Sequence, residues 1–167
     1  MNDTLRLNDR RYADVRFQDG ALPHMAGVHS FQVLRANRAH PEEADGFGWT
    51  YNHAAMLAYY HGRLYIEYLS DPVSEHEAPG HVLLTSSENG MDWSIPEVIF
   101  PSVNVPTAPY RGPRSPALKP MMQTVPHHRM GFFRAKNDVM LVSTFSAIVH
   151  DRRESMPCDG WGVGRAV

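Results

Sequence analysis

The feature of the sequence that most constrains its fold is a series of short strand-like segments with turn signals between them. Four segments follow one another: "MLAYY" (56–60), "RLYIEYL" (63–69), "HVLLTSS" (81–87) and "EVIFP" (97–101). His61-Gly62 joins the first two, and a two-residue connection of this kind is typical of a β-hairpin. The pattern predicts a four-stranded antiparallel meander over residues 53–100.

The same plan begins again downstream. Its segments are "RMGFFRA" (129–135), "VMLVSTF" (139–145) and "GWGVGRAV" (160–167), with a turn predicted at 136–138. Repeated four-stranded units of about 40–50 residues are typical of a β-propeller. The sequence therefore predicts an all-β chain that forms a partial β-propeller of four-stranded antiparallel blades. One blade is expected at about 53–100 and a second, incomplete blade at about 129–167.

The remaining parts of the chain are expected to complete a single partial propeller domain over residues 1–167. The N-terminal region, 15–50, contains one predicted strand, "SFQVLRA" (30–36). Residues 101–126 contain seven prolines without periodicity, which predicts a long loop. The N-terminus has no apolar stretch of the kind a secretory signal needs, so no signal peptide is predicted in this sequence.

Composition excludes several classes of function. The net charge is −2 and charges of both signs are interspersed, so no electrostatic footprint for nucleic acid is present. No apolar run reaches the length of a membrane-spanning helix. The single cysteine excludes an internal disulfide.

An incomplete propeller leaves edge strands whose backbone groups are unpaired, and this predicts that the chain associates with itself.

The segment "SSENGMDW" (86–93) fits the Asp-box pattern S-x-D-x-G-x-T-W of sialidase-like propellers. Ser86, Gly90 and Trp93 match the pattern, and Glu88 stands at the Asp position. Asn89-Gly90 is expected to form a left-handed turn between the third and fourth strands, with Ser86 and the acidic side chain bonding the turn backbone. Such a box is structural and not catalytic.

The segment "SEHEAPGH" (74–81) has the composition of a metal site without its spacing. A helical His-Glu-His motif needs the histidines at i and i+4, whereas here they are five apart and Pro79-Gly80 prevents a helix. A loop-borne site through Glu75, His76 and His81 remains an alternative. No cofactor is predicted, and the sequence gives no support for a structural calcium ion.

His53 precedes the first strand of the meander. In a propeller this strand is the innermost of its blade, and its ends surround the central pocket. From spacing alone, a histidine here either caps a loop by hydrogen bonds or transfers protons in an active site. Both interpretations stay open at this point.

The stretch "DGFGWTYNHAAMLAYYHGRLYIEYLSDPVSEHEAPGHVLLTSSENGMDW" resembles the N-terminal part of seven-bladed propellers that act on rhamnosyl-glucuronate caps of arabinogalactan and gum arabic. That family comprises L-rhamnose-α-1,4-D-glucuronate lyases and α-L-rhamnosidases. The resemblance runs from about Val15 to Val167 and includes "FQVLRANR", "RMGFF" and "GWGVGRAV". Its more specific motifs are "YNH" and "DPVSEH", in which Asp71 stands where the family has Asn.

The resemblance implies a carbohydrate-active enzyme, or a fragment of one, whose partner is an oligosaccharide or polysaccharide. It implies that His53 and His76 are catalytic and that Arg129 binds the substrate. Tyr110, in the proline-rich loop, is expected to contact the sugar as well. The resemblance also implies export for many relatives. Elimination of a 4-O-rhamnosyl group requires removal of the C5 proton beside a carboxylate, a task that suits a histidine for the proton and an arginine for the carboxylate.

Two alternatives accompany this interpretation. A sialidase-like glycoside hydrolase would use an arginine cluster together with a Tyr–Glu pair, and no such constellation can be assembled from the sequence. A non-catalytic glycan-binding or degenerate propeller fragment is the alternative from another class.

Overall fold

The computed structural model describes residues 14, 16, 17, 21, 27, 29–75, 78–104, 123–148 and 159–166. At residues 125, 127–129, 147–148 and 159–163 this description covers the backbone only. The chain divides into two compact units, Met1–Val33 and Leu34–Val167. In the described part of the first unit, the Arg16 guanidinium binds the Asp14 carboxylate at 2.6 Å. No helix among the described residues is long and apolar enough to cross a membrane.

The second unit contains two antiparallel sheets. The first has the order β1-β2-β3-β4 and the second β5-β6-β7. The strands are β1 (Tyr51–Tyr60), β2 (Arg63–Asp71), β3 (His81–Ser87), β4 (Glu97–Phe100), β5 (Thr124–Arg134), β6 (Met140–Ile148) and β7 (Asp159–Ala166). A short 3₁₀-helix at Pro41–Glu43 precedes them. The prediction of an all-β chain built of antiparallel meanders is confirmed.

The tight turn between β1 and β2 has the conformation that its sequence predicts. His61 and Gly62 both have positive φ angles, 47° and 80°, as the central residues of a type I′ hairpin turn require. The predicted strand at 30–36 is wrong, because this segment is irregular and pairs with no described strand. Phe31 within it is about half exposed. An alternating pattern forms a strand only where a neighbouring strand completes its hydrogen bonds.

The two sheets pack face to face around one apolar core. The buried members of the core are Leu69, Val82, Leu84, Ile99, Met130 and Val142. Burial of each such side chain stabilises the fold by about 1.5–3 kcal/mol. The opposite face of each sheet keeps apolar side chains exposed, at Leu57 and Tyr59 on β1 and at Phe133 and Leu141 on the second sheet.

The tips of the β1–β2 and β5–β6 hairpins are joined through Asp138. The Asp138 carboxylate lies 2.9 Å from Nε2 of His61 and accepts a hydrogen bond of 2.7 Å from Nε of Arg134. The hydroxyl of Tyr60 donates to the carbonyl oxygen of Asp138. These contacts hold the two sheets together at the end opposite to His53.

The turn between β3 and β4 adopts the predicted left-handed conformation, with Gly90 at φ 75°. Its hydrogen bonds, however, come from different side chains than predicted. Ser87 Oγ accepts hydrogen bonds from the amides of Asn89 and Gly90. Asn89 Oδ1 accepts hydrogen bonds from the amides of Met91 and Asp92. Ser86 and Glu88 instead bind the Arg63 guanidinium. Asn89 therefore plays the role that the Asp side chain has in the box, although Glu88 stands at the Asp position in the sequence. The reason is that Ser87 and Asn89 project toward the turn backbone, whereas Ser86 and Glu88 project toward Arg63.

Replacing Asn89 by alanine is expected to destabilise the protein by about 1–2 kcal/mol, since two turn amides lose their acceptor. Urea denaturation measures this loss. Glu88→Ala is the matched control and should change stability by less than about 0.5 kcal/mol, because its ion pair is at the surface. Equal effects of the two substitutions would contradict the assignment of Asn89 to the turn.

Candidate active site

His53 lies at a break in the regular pairing of β1. It pairs with Leu69, and a β-bulge follows immediately, before pairing resumes at Met56 opposite Glu67. Within the bulge Ala54 has a φ of 54°, which is a costly conformation for a residue with a Cβ atom. The His53 side chain is exposed. Bulges of this kind redirect side chains and are common beside active sites.

The innermost strand of the second sheet carries the same irregularity at the corresponding place. In β5 the pairing with β6 is regular through His127, is interrupted by a bulge, and resumes at Gly131. Strands β1 and β5 contact each other, so the two bulges lie on neighbouring inner strands. The backbone of Arg129 lies within the second bulge.

Tyr51 lies beside His53 and connects it to two carboxylates. The ring of Tyr51 lies 5.8 Å from the ring of His53, measured between centroids. The Tyr51 hydroxyl donates a long hydrogen bond of 3.4 Å to Oε2 of Glu75. Asp71 pairs with Tyr51 across the hairpin and is fully buried. The start of β1 thus combines an imidazole, a phenol and two carboxylates.

The electrostatics of this cluster centre on Tyr51. Burial raises the pKa of the Tyr51 phenol, and the nearby charges of Glu75 and Asp71 raise this pKa further. A phenol in this environment keeps its proton and donates it to the Glu75 carboxylate as a hydrogen bond. Tyr51 and Glu75 therefore form a hydrogen-bonded Tyr–Glu pair, which is one part of the constellation that a sialidase-like hydrolase would use.

Of the residues predicted for the site, the structure describes the side chain of His53. It describes the backbone of Arg129 in β5, and His76 and Tyr110 lie outside the described residues. Sequence reasoning missed Tyr51 as a member of the site. The signal for it was the hairpin register, which places the start of β1 beside the end of β2 and its following loop.

His81, a member of the alternative metal site, lies in a different environment from Glu75. Its ring contacts those of Phe47 and Trp49, with centroids 4.9 and 4.7 Å away. Burial lowers the pKa of His81, so this imidazole is neutral at physiological pH. Among the described residues no three His, Cys, Asp or Glu side chains are grouped as metal ligands.

These sheets are two blades of a partial β-propeller of the sialidase-like type. Residues 3–167 match the family described as BT_1020-like, N-terminal beta propeller, and the chain belongs to this family. It is similar to a solved structure named "Sialidase", with 34% sequence identity and a TM-score of 0.70 over 89% of this chain. The chain spans 14% of that sialidase chain. No curated protein matches the sequence.

Proposed function

We propose that the chain contributes the first part of a glycan-processing active site to a sialidase-like propeller. The observation that carries the proposal is the bulge after His53. It combines a strained Ala54 with an exposed imidazole beside the Tyr51–Glu75 pair. Backbone strain of this kind persists where the surrounding structure enforces it, and it concentrates at functional sites. The similarity to a protein named "Sialidase" supports a carbohydrate as the substrate class.

The finer proposal is cleavage of terminal L-rhamnose from rhamnosyl-α-1,4-glucuronate ends by β-elimination. His53 takes the proton from C5 of the glucuronate, since histidine is the side chain best suited to proton transfer near neutral pH. Arg129 binds the uronate carboxylate and stabilises the negative charge that develops beside it. His76 takes part in a second proton transfer, and Tyr110 contacts the sugar. The motif resemblance at "YNH" and "DPVSEH" supports this choice of substrate.

Hydrolysis is the second candidate, and the Tyr51–Glu75 hydrogen bond favours it. In this mechanism the Tyr51 oxygen attacks the anomeric carbon as the glycosidic C–O bond breaks, and its phenolic proton passes to Glu75. The departing oxygen takes a proton, and water then hydrolyses the glycosyl–tyrosine bond. The raised pKa of Tyr51 opposes such an attack, because it makes the phenolate harder to form. We therefore place elimination first and hydrolysis second.

Product analysis with Tyr51→Phe separates the two reactions. A rhamnosyl-α-1,4-glucuronate oligosaccharide is incubated with the full-length protein, and products are followed by near-ultraviolet absorbance and mass. Elimination leaves an unsaturated uronate that absorbs, and Tyr51→Phe should then retain activity within about tenfold. Hydrolysis leaves a saturated glucuronate, and loss of a nucleophile should then cost more than about 10²-fold. Binding of the oligosaccharide without either product would contradict both and favour a glycan-binding module.

A further inference from the structure

Glu67 is a fully buried carboxylic acid at the interface between the two sheets. It lies in the middle of β2, between Met56 of β1 and Leu84 of β3, and its side chain is completely excluded from solvent. Neither carboxylate oxygen has a hydrogen-bond partner among the described residues. A buried carboxylic acid without partners is rare, because removing its charge from water is costly.

The carboxyl group of Glu67 faces the second sheet near Gly131 of β5. The backbone amide of Gly131 favours the ionised form of Glu67, but burial outweighs this effect. Gly131 is the residue at which β5 resumes its pairing after the bulge. The buried carboxyl group therefore lies beside the end of the bulge in β5.

Among the side chains that the structure describes, no charged group neutralises Glu67. The titratable residues of the strands around Glu67 are Tyr51, His53, Tyr59 and Tyr60 on β1, Arg63, Tyr65, Tyr68 and Asp71 on β2, His81 on β3, Glu97 on β4, His127, His128, Arg129 and Arg134 on β5, and Asp159 and Arg165 on β7. Burial is the dominant cause of the shift that brings the pKa of Glu67 to about 7, and no charge among the described residues contributes to it. The group is accordingly neutral when the sheets are docked at mildly acidic pH.

We propose that Glu67 is a proton-binding switch between the two sheets, which keeps β5 docked on β2 when it is protonated and loosens this contact when it is ionised. The protonated group fits the apolar interface, whereas the carboxylate is a buried charge with no charged partner among the described residues. The inner strands carry His53 and the bulge at Arg129, so the switch would link the geometry of this end of the sheets to pH. The proposal does not depend on the reaction that these residues perform.

The sign of the effect follows from the two pKa values. Below the ordinary glutamate value of 4.5 the group is protonated in both the folded and unfolded states, and it contributes no pH dependence. Between 4.5 and about 7 the unfolded chain releases the proton while the folded chain retains it. Stability is therefore lost as the pH rises through this range, and the loss is complete above it.

The test compares urea denaturation of the wild type and Glu67→Gln between pH 4.5 and 8. We expect the unfolding constant of the wild type to rise relative to that of the variant by about 10²-fold across this range. Glu97→Gln, an exposed glutamate of β4, is the control and should leave the pH profile unchanged. A constant ratio between wild type and Glu67→Gln at every pH would overturn the proposal.

Two measurements on the wild type keep the proposal testable if Glu67→Gln fails to fold. Carboxyl NMR should show Glu67 titrating near neutral pH, and a midpoint below about 5.5 would overturn the proposal. The equilibrium opening constant of the Gly131 amide from hydrogen exchange, corrected for the intrinsic exchange rate, should rise through the same midpoint. An opening constant that does not change with pH would also overturn it.

Discussion

Replacing His53 by alanine is expected to lower the rate of glycan cleavage by about 10²–10⁴-fold, the usual contribution of a group that transfers a proton in the transition state. His53 is exposed at the start of β1, so its loss should leave the melting temperature nearly unchanged. The rate is measured in the full-length protein on a rhamnosyl-glucuronate oligosaccharide, with kcat and KM determined separately.

His61→Ala is the matched control for this experiment. His61 is also an exposed histidine of the same hairpin, but it lies at the opposite end, against Asp138. We expect its substitution to leave the rate within about twofold, because surface changes far from the reacting atoms have small effects. A loss below tenfold for His53→Ala, or equal losses for the two variants, would reject proton transfer by His53.

Replacing Leu69 by alanine is expected to destabilise the protein by about 2–5 kcal/mol. Leu69 is completely buried and belongs to the core that both sheets share. Its removal leaves a cavity between two packed layers, which can relax only in part. Urea denaturation of both proteins at one fixed pH measures the effect, so that the protonation of Glu67 is the same for the two.

Leu57→Ala provides the comparison at a leucine of the same sheet. Leu57 is 65% exposed, so its truncation should change the free energy of unfolding by less than about 0.5 kcal/mol. A similar loss for both leucines would indicate that the two sheets do not form a common core.

The hairpins of this fold were predictable because their signals are local. His61-Gly62 specifies a tight turn through its own backbone preferences. Residues 136–138 form the second turn as predicted. Strand limits were less predictable, since β1 and β5 both begin five residues before the predicted start. An edge residue joins a strand when its neighbour supplies hydrogen bonds, and this information lies elsewhere in the chain.

The details of the candidate site were less accessible from the sequence. Counting back from the turn places Tyr51 opposite Pro72, whereas the bulge after His53 places it opposite Asp71. Nothing in "NHAAM" indicates a bulge, because alanine rarely adopts a positive φ angle. Glu67 was equally hidden, since a glutamate in an alternating strand predicts a solvent-facing position. Its burial results from the packing of the second sheet against β2.

The exposed apolar side chains on the outer sides of the two sheets differ from each other. One side presents Leu57 and Tyr59, and the other presents Phe133 and Leu141. A contact that joins the first side of one such pair of sheets to the second side of another is heterologous, so it lacks two-fold symmetry. Repetition of a heterologous contact gives a closed ring only when the rotation between successive layers divides a full circle. The tilt between the two sheets, which the contacts of Asp138 hold at one end, therefore determines how many layers such a ring can contain.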